Sequence, residues 1–429
     1  MRAEPTLQVL RRWRADIAEV TGEGMSEAET LETVRALEEL KAAAAAGQAR
    51  LTAHLYAERA RREAAEGVPA RKRCAGLGAE VALARRVSPH QGNRHLGVAL
   101  ALTREMPHTL AALTTGRLPE WRATLLVRET AVLTSEHRAE VDREVVPRAT
   151  DGGWGDRQIA HQARRIGYRL DPGSAVRRVR GAQGNRRVSV RPAPDTMTYL
   201  TGFLPVAQGV ACHAALAQEA DRLKATGDAR TRGQIMADTL VARLTGQAEA
   251  TGTPVEINVV MTDRALLGGS AEPAHVTGYG TIPAETARGF IRDAEHAWVR
   301  RLYTHPDSGA LVAMDSRRRL FTGQLRHLLV LTSDTCATPW CDAPVRHADH
   351  ASPSRTGGGT SYSNGTGLCE ACNYTKDLPG WDAHLITRSD GTRILHLYDP
   401  TRRQHHSRAP DPPGAPDPGT PFLHTIGAA

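Results

Sequence analysis

Most of the chemically capable residues of this chain lie between Cys336 and Lys376. Two cysteine pairs, Cys336-x4-Cys341 and Cys369-x2-Cys372, bracket an Asp349-His350 step, a glycine-rich turn and Asn364. Asn373 and Lys376 follow directly. Short spacings of this kind put two thiolates on one knuckle, and two knuckles close a tetrahedral site for a structural zinc, Zn2+. The segment has little apolar content, so metal binding would supply much of its folding energy. An Asp-His step and an Asn held near such a site can bind a second, harder divalent ion and activate a water.

The elements that carry these residues must satisfy a geometric condition. Neighbouring side chains on a strand point to opposite faces, so Asp349 and His350 share one site only where the strand is bent. His347, two residues before Asp349, falls on the same face as Asp349 and competes for the metal. Asn364 precedes Gly365 and also reads as a turn residue. Lys376 lies one helical turn beyond Asn373, within reach of a phosphate, and Arg346 beside the strand is a second candidate for contact with nucleic acid.

The order Asp349-His350, then Asn364, then Cys369-Glu-Ala-Cys372-Asn373-x-x-Lys376 resembles the HNH endonucleases over about residues 336–381. The resemblance implies a ββα-metal hairpin and helix around one divalent ion. It makes Asp349 and Asn373 ligands of a catalytic Mg2+ or Mn2+ and His350 the general base. Asn364 would tie the loop to the hairpin and orient His350. The implied reaction is phosphodiester hydrolysis in DNA, leaving 5′-phosphate and 3′-hydroxyl ends, with RNA as an alternative substrate. Where related modules often carry Cys-x-x-His-His and Cys-Asp-x-Asp-His, this chain has Cys372-Asn373 and Arg346-His347-Ala348-Asp349-His350.

Upstream, residues 27–66 read as one long helix, opened by a capping box from Ser26 and Glu29 and striped by Leu31, Val34, Leu37, Leu40, Leu51 and Leu55. That stripe packs on its own domain or pairs with a second chain as a homodimer. Further helices are expected over 79–86, 90–104, 109–115, 119–130, 135–146 (stopping before Pro147), 156–170 (with Asp156 as cap), 207–225, 231–245 and 283–301. Strands are expected over 186–191, 197–204 and 255–262, with an irregular stretch of strand character from 267 to 282. Arg177, Arg178, Arg180, Arg186 and Arg187 crowd the boundary of the first strand and form either a solvated loop or a phosphate-binding run.

The phrases AEVALARRVSP from Ala79, GRLPEWRATLLVRET from Gly116, TGFLPVAQGVACHAAL from Thr201, GDARTRGQIMADTLVARLTG from Gly227 and GYGTIPAETAR from Gly278 resemble the DUF222, or 13E12-repeat, proteins of actinobacteria. In that family such a domain commonly precedes an HNH module. The expected architecture is therefore α+β. Residues 1–26 form an N-terminal segment, 27–305 a mainly helical DUF222-like domain with a few strands, and 306–329 a connecting helix. Residues 330–400 form the zinc-stabilised ββα-metal module, and 401–429 a disordered, Pro-rich tail. His405-His406 reads as a solvated pair in that tail.

The 429 residues are 40% hydrophobic, enough for two or three cored domains, and a formal net charge of +8 suits a polyanionic partner. Cys74 and Cys212 stand alone, so the six cysteines are no disulfide framework, and a reduced, cytoplasmic setting is expected. The first twenty residues lack the apolar run of a signal peptide, and no stretch is long and apolar enough to predict a membrane span. The rival to a nuclease is a non-catalytic, zinc-stabilised nucleic-acid-binding or oligomerising protein with a vestigial HNH module.

Overall fold

The computed structural model describes residues 3–246, 259–277, 279–293, 321 and 323–410; the side chains of residues 3–5, 174–175, 177–178 and 293 are outside that description. Within it the chain is mainly helical with a few small antiparallel sheets, an α+β arrangement. Two compact units emerge: Met1–Arg73 with His95–Ala175, and Cys74–Arg94 with Val176–Ala429. The second unit thus reaches back across the border expected near residue 305.

Along the chain come α1 (Ala3–Ala18), α2 (Glu27–Ala65), α3 (Leu77–Arg85), α4 (Pro89–Arg104), α5 (Pro107–Thr114), α6 (Glu120–Thr130), α7 (Ser135–Asp151) and α8 (Asp156–Leu170). All but α3 and the start of α4 belong to the first unit. The capping box of α2 forms as expected, with Ser26 N donating to Glu29 at 2.8 Å and Glu29 N to Ser26 Oγ at 3.3 Å. The face it buries differs from the expected one. Ala42, Ala45, Ala46 and Ala49 are inside, whereas Leu31, Val34, Leu51 and Leu55 are exposed. Alanines win because they allow α5 and α6 to approach closely.

The core of this unit includes Leu102, Met106, Leu113, Leu126, Val141 and Ile159. The fully buried Asp142 of α7 accepts from His108 N at 2.7 Å and Thr109 N at 2.9 Å, and from the Thr109 hydroxyl. It thereby caps α5, whose own preceding residue, Met106, offers no side-chain acceptor. α7 runs through Pro147 instead of stopping before it. Pro147 is on the exposed side, where water can satisfy the freed carbonyl, while Val145, Val146 and Ala149 hold the helix to the core. Gly155, not Asp156, occupies the cap of α8.

The second unit continues with α9 (Pro172–Gly184), β1 (Arg187–Pro192), β2 (Thr198–Phe203), α10 (Val206–Ala225), α11 (Arg232–Thr245), β3 (Val259–Val260), α12 (Asp263–Leu267), β4 (Ala274–Val276), β5 (Gly280–Ile282) and α13 (Ala284–Asp293). Helix α9 was not expected; it carries Arg177, Arg178 and Arg180, and the strand boundary falls at Arg187. The described part of the 255–262 strand is β3, and residues 255–258 lie outside the description.

Then come α14 (Gly323–Ser333), β6 (His347–His350), β7 (Gly365–Leu368), α15 (Glu370–Thr375), β8 (Asp382–Thr387), β9 (Arg393–Tyr398) and β10 (Gln404–Arg408). Of the connecting helix expected over 306–329, residues 306–320 and 322 are outside the description, and α14 starts at Gly323. The tail expected to be disordered from residue 401 instead supplies β10, an edge of the β10-β9-β8 sheet, because His405 and its neighbours find register partners on β9. Residues 411–429 are outside the description.

Helix α3 is the unexpected member of this unit. Leu83 is buried with Ala351, Ala383, Leu395 and Leu397 in one apolar cluster. Gly76, at φ +81°, lets the chain enter α3 where a Cβ would fall 2.8 Å from Leu378 Cδ1. At Gly78 a Cβ would meet the Asn93 side chain at 2.0 Å, so α3 and the start of α4 cross closely only with glycine there. Leu83→Ala should cost the second unit about 2–5 kcal/mol, read as a lower denaturant midpoint for Trp381-region amide exchange. An unchanged midpoint would show that α3 does not support the C-terminal sheet.

Candidate functional site

β6 and β7 pair antiparallel, His347 opposite Leu368 and His350 opposite Gly365, and α15 follows directly and packs on β6. Cys369 is the N-cap of α15, its sulfur accepting from Cys372 N at 3.4 Å. Helix α14 backs the hairpin. Phe321, Leu325, Leu329 and Tyr362 are buried together, and Gly365 and Gly367 leave no room for a Cβ against Leu329 and Ser333. The sequence thus builds a strand, strand, helix unit whose small residues face its support.

Cys336 and Cys341 precede β6, and Cys369 and Cys372 open α15; all four are buried. Their sulfurs lie within 4.8 Å of one another, and Cys341 Sγ is 3.8 Å from Cys369 Sγ. A tetrahedron with metal–sulfur bonds of about 2.3 Å has edges of about 3.8 Å. The four cysteines therefore form a cluster that can hold a metal ion, and their geometry and softness fit zinc. Crowding divides the thiols. Hydrogen bonding to Cys341 pulls Cys336 down to about 7 and hydrogen bonding to Cys336 pulls Cys369 down, while the same contacts push Cys341 and Cys372 up. Among the described residues this is the one group of three or more His, Cys, Asp or Glu whose ligand atoms already converge.

Asp349 and His350 do meet. Asp349 Oδ1 accepts from His350 N at 2.8 Å and lies 3.3 Å from His350 Nδ1. The imidazole is buried against the Phe321 ring, 4.8 Å between centroids, and its Nε2 is 2.8 Å from the Thr360 hydroxyl. Asp349 Oδ2 pairs with Lys376 Nζ at 3.2 Å, and that buried ammonium also donates to Asp377 at 3.1 Å. Burial alone would raise the Asp349 carboxyl, but the His350 N–H and the Lys376 charge together hold it below its ordinary value.

Asn373, on α15, is buried, and its Oδ1 has no hydrogen-bond partner. A buried acceptor without a partner is costly, and a hard cation is one group that would satisfy it. Asn373 is thus compatible with an oxygen-liganded divalent ion. Asp349 fits on the condition that Lys376 yields Oδ2.

Asn364 staples the loop between the strands. Its Oδ1 accepts from Ser352 N at 2.9 Å, and its Nδ2 donates to Ser352 O at 3.0 Å and Gly359 O at 2.9 Å. Gly359 adjoins Thr360, so the staple reaches the residue that touches His350. Arg393, on β9, is buried; it donates to Tyr362 O at 2.8 Å and to Gly365 O, and lies over the Tyr362 ring at 4.0 Å.

His347 faces Tyr374, 6.0 Å between rings, and Arg346 is exposed at the head of β6. Lys376, expected at a phosphate, is instead buried on Asp349. Sequence reasoning missed Thr360, Phe321 and Arg393. Thr360 and Phe321 had no local signal, whereas Asp390-Gly391 between two alternating runs marked the hairpin that carries Arg393.

The family described as "Domain of unknown function (DUF222)" matches residues 34–331. The match ends before the first clustered cysteine, so the HNH resemblance rests on the module's own residues. Neither the curated proteins nor the solved structures compared with the chain yield a match.

Proposed function

The chain belongs to the DUF222 family, and we propose that the ββα module beyond the matched region is a metal-dependent endonuclease acting on DNA. The observation that carries this reading is the unpartnered Asn373 Oδ1 on the helix that packs against the Asp349-His350 strand. His350 is the general base. When Nε2–H donates to Thr360, Nδ1 is unprotonated, and once the Asp349 carboxylate, 3.3 Å away, turns from it to the divalent ion, Nδ1 takes the proton of the attacking water. Asn364 and Arg393 hold the loop that carries Thr360 against the imidazole. Asp349 and Asn373 would hold the divalent ion, and Lys376, released from Asp349, meets the scissile phosphate. The ion, when bound, supplies Lewis-acid stabilisation of the phosphate and the leaving 3′ oxygen. The cysteine-held zinc is structural and has no part in the reaction.

A second reading has its own support. The Lys376 ammonium neutralises Asp349, which suits a nucleic-acid-binding module that no longer cleaves. The exposed stripe of α2 further supports pairing with a second copy. Supercoiled plasmid incubated with the full-length protein and Mg2+, Mn2+ or EDTA separates the readings: divalent-dependent nicking is expected, and binding without nicking would favour the second.

The exposed Arg180, Arg186 and Arg187 carry the proposal that this surface meets the DNA backbone. Changing them to Ser should make the dependence of log K on log salt shallower by about 0.9 for each phosphate the protein no longer neutralises. An unchanged slope removes them from the interface.

A further inference from the structure

The β10-β9-β8 sheet brings three histidines into one row. His396 on the central strand is the register partner of both His384 on β8 and His406 on β10. Register partners project from the same face. The opposite face is accounted for, since Ala383, Leu395, Leu397 and His405, each one residue away, are buried. The His405 imidazole is held there by Asp399, at 3.1 Å. The histidine row thus lies on the open face of the sheet. The His384 and His396 rings stack with 5.5 Å between centroids and 5° between planes, and those of His396 and His406 are 6.4 Å apart.

We propose that His384, His396 and His406 form a second metal site that takes one divalent transition-metal ion, Zn2+, Ni2+ or Cu2+, on imidazole nitrogens. Imidazole is the borderline ligand these ions prefer, and their affinity should follow the usual order, with Cu2+ highest. Directly opposed residues on antiparallel strands have Cβ atoms about 4.5–5.5 Å apart, so side-chain torsions alone can converge neighbouring rings on one ion. Water completes the shell. The Gln404 side chain meets Nδ1 of His396. The atom that meets Nδ1 is the amide nitrogen, a donor, so metal binding requires this amide to turn; its oxygen then holds Nδ1–H and leaves Nε2 as the ligand, the outer-shell arrangement that orients metal-bound histidines. Tyr398 stacks on His384 at 5.5 Å and closes that end of the row. The cationic Arg408 belongs to the next row, opposite Ile394, and does not stand between the imidazoles. No residue is shared with the cysteine cluster, and the proposal stands whether or not the module cleaves DNA.

The test uses full-length, tag-free protein with its cysteine cluster already loaded with zinc, titrated with Cu2+ or Ni2+ near neutral pH. One further equivalent should bind, with nitrogen couplings in the Cu2+ electron-spin spectrum. His396→Ala should weaken it at least about tenfold, in line with the effect of disturbing a metal's protein shell. Equal affinity in wild type and His396→Ala overturns the proposal, as does bound Cu2+ that shows no nitrogen coupling. Should His396→Ala fail to fold, the double variant His384→Gln with His406→Gln alters only the two outer strands and decides the same question.

Discussion

Protein carrying Cys372→Ser is expected to lose its zinc and, with it, the fold of the ββα module, while the first unit stays native. Four buried thiols around one centre are not easily replaced by apolar packing, because among the described residues the cluster they form packs with the small set Leu368, Ala337 and Ala343. Structural zinc contributes an apparent 10–16 kcal/mol or so in comparable small sites, more than the roughly 5–15 kcal/mol by which whole domains are stable. Elemental analysis should fall from one zinc per chain toward none at the cysteines. Amide exchange should accelerate across β6, β7 and α15 and also across α3, which packs on the same unit, but not in α6 or α8. Protein purified without chelator that holds no zinc would end this account of the cluster.

His350→Ala is expected to lower cleavage by about 10²–10⁴-fold while leaving zinc content and DNA binding near wild type. The buried ring also packs on Phe321, so a modest stability loss accompanies the change and must be measured beside the rate. His347→Ala is the control. Its ring faces Tyr374, and its cleavage rate should stay within a few-fold of wild type. A dead His347 variant beside an active His350 variant would move the base two residues upstream. Full activity in both would show that any nicking comes from elsewhere.

The residues of the candidate site were legible because metal chemistry constrains spacing. Paired cysteines, an Asp-His step and an Asn before a glycine keep their meaning at short range. Helix positions were legible for the same local reason, from Ser26 at the start of α2 to Thr231 at the start of α11. What sequence could not show was which surfaces meet. The leucine stripe of α2 has ideal spacing yet is exposed, because burial was decided by what could come close, and only alanine could. Lys376 looked like a free cation until α15 laid it on Asp349. The strand β10 was hidden in a polar tail, since its pairing is set by β9 and not by its own composition. A fragment of residues 330–385, which holds every catalytic candidate, would lack β9, β10 and α3 and leave Ala351 and Ala383 uncovered.

The placement of α3 also has a consequence for how the chain is made. Leu83 leaves the ribosome well before its partners Leu395 and Leu397, which are roughly 300 residues further on, about 15–60 s later at ordinary synthesis rates. Until then Leu83, buried in the finished protein, lacks the sheet residues that cover it. Closing so long a loop also carries a logarithmic entropy term of about 5 kcal/mol, so the joining of α3 to the sheet is expected to come late. A nascent chain cut short before β9 would leave Leu83 of α3 uncovered, an exposed apolar mark of incompleteness that general quality control recognises before any activity is tested.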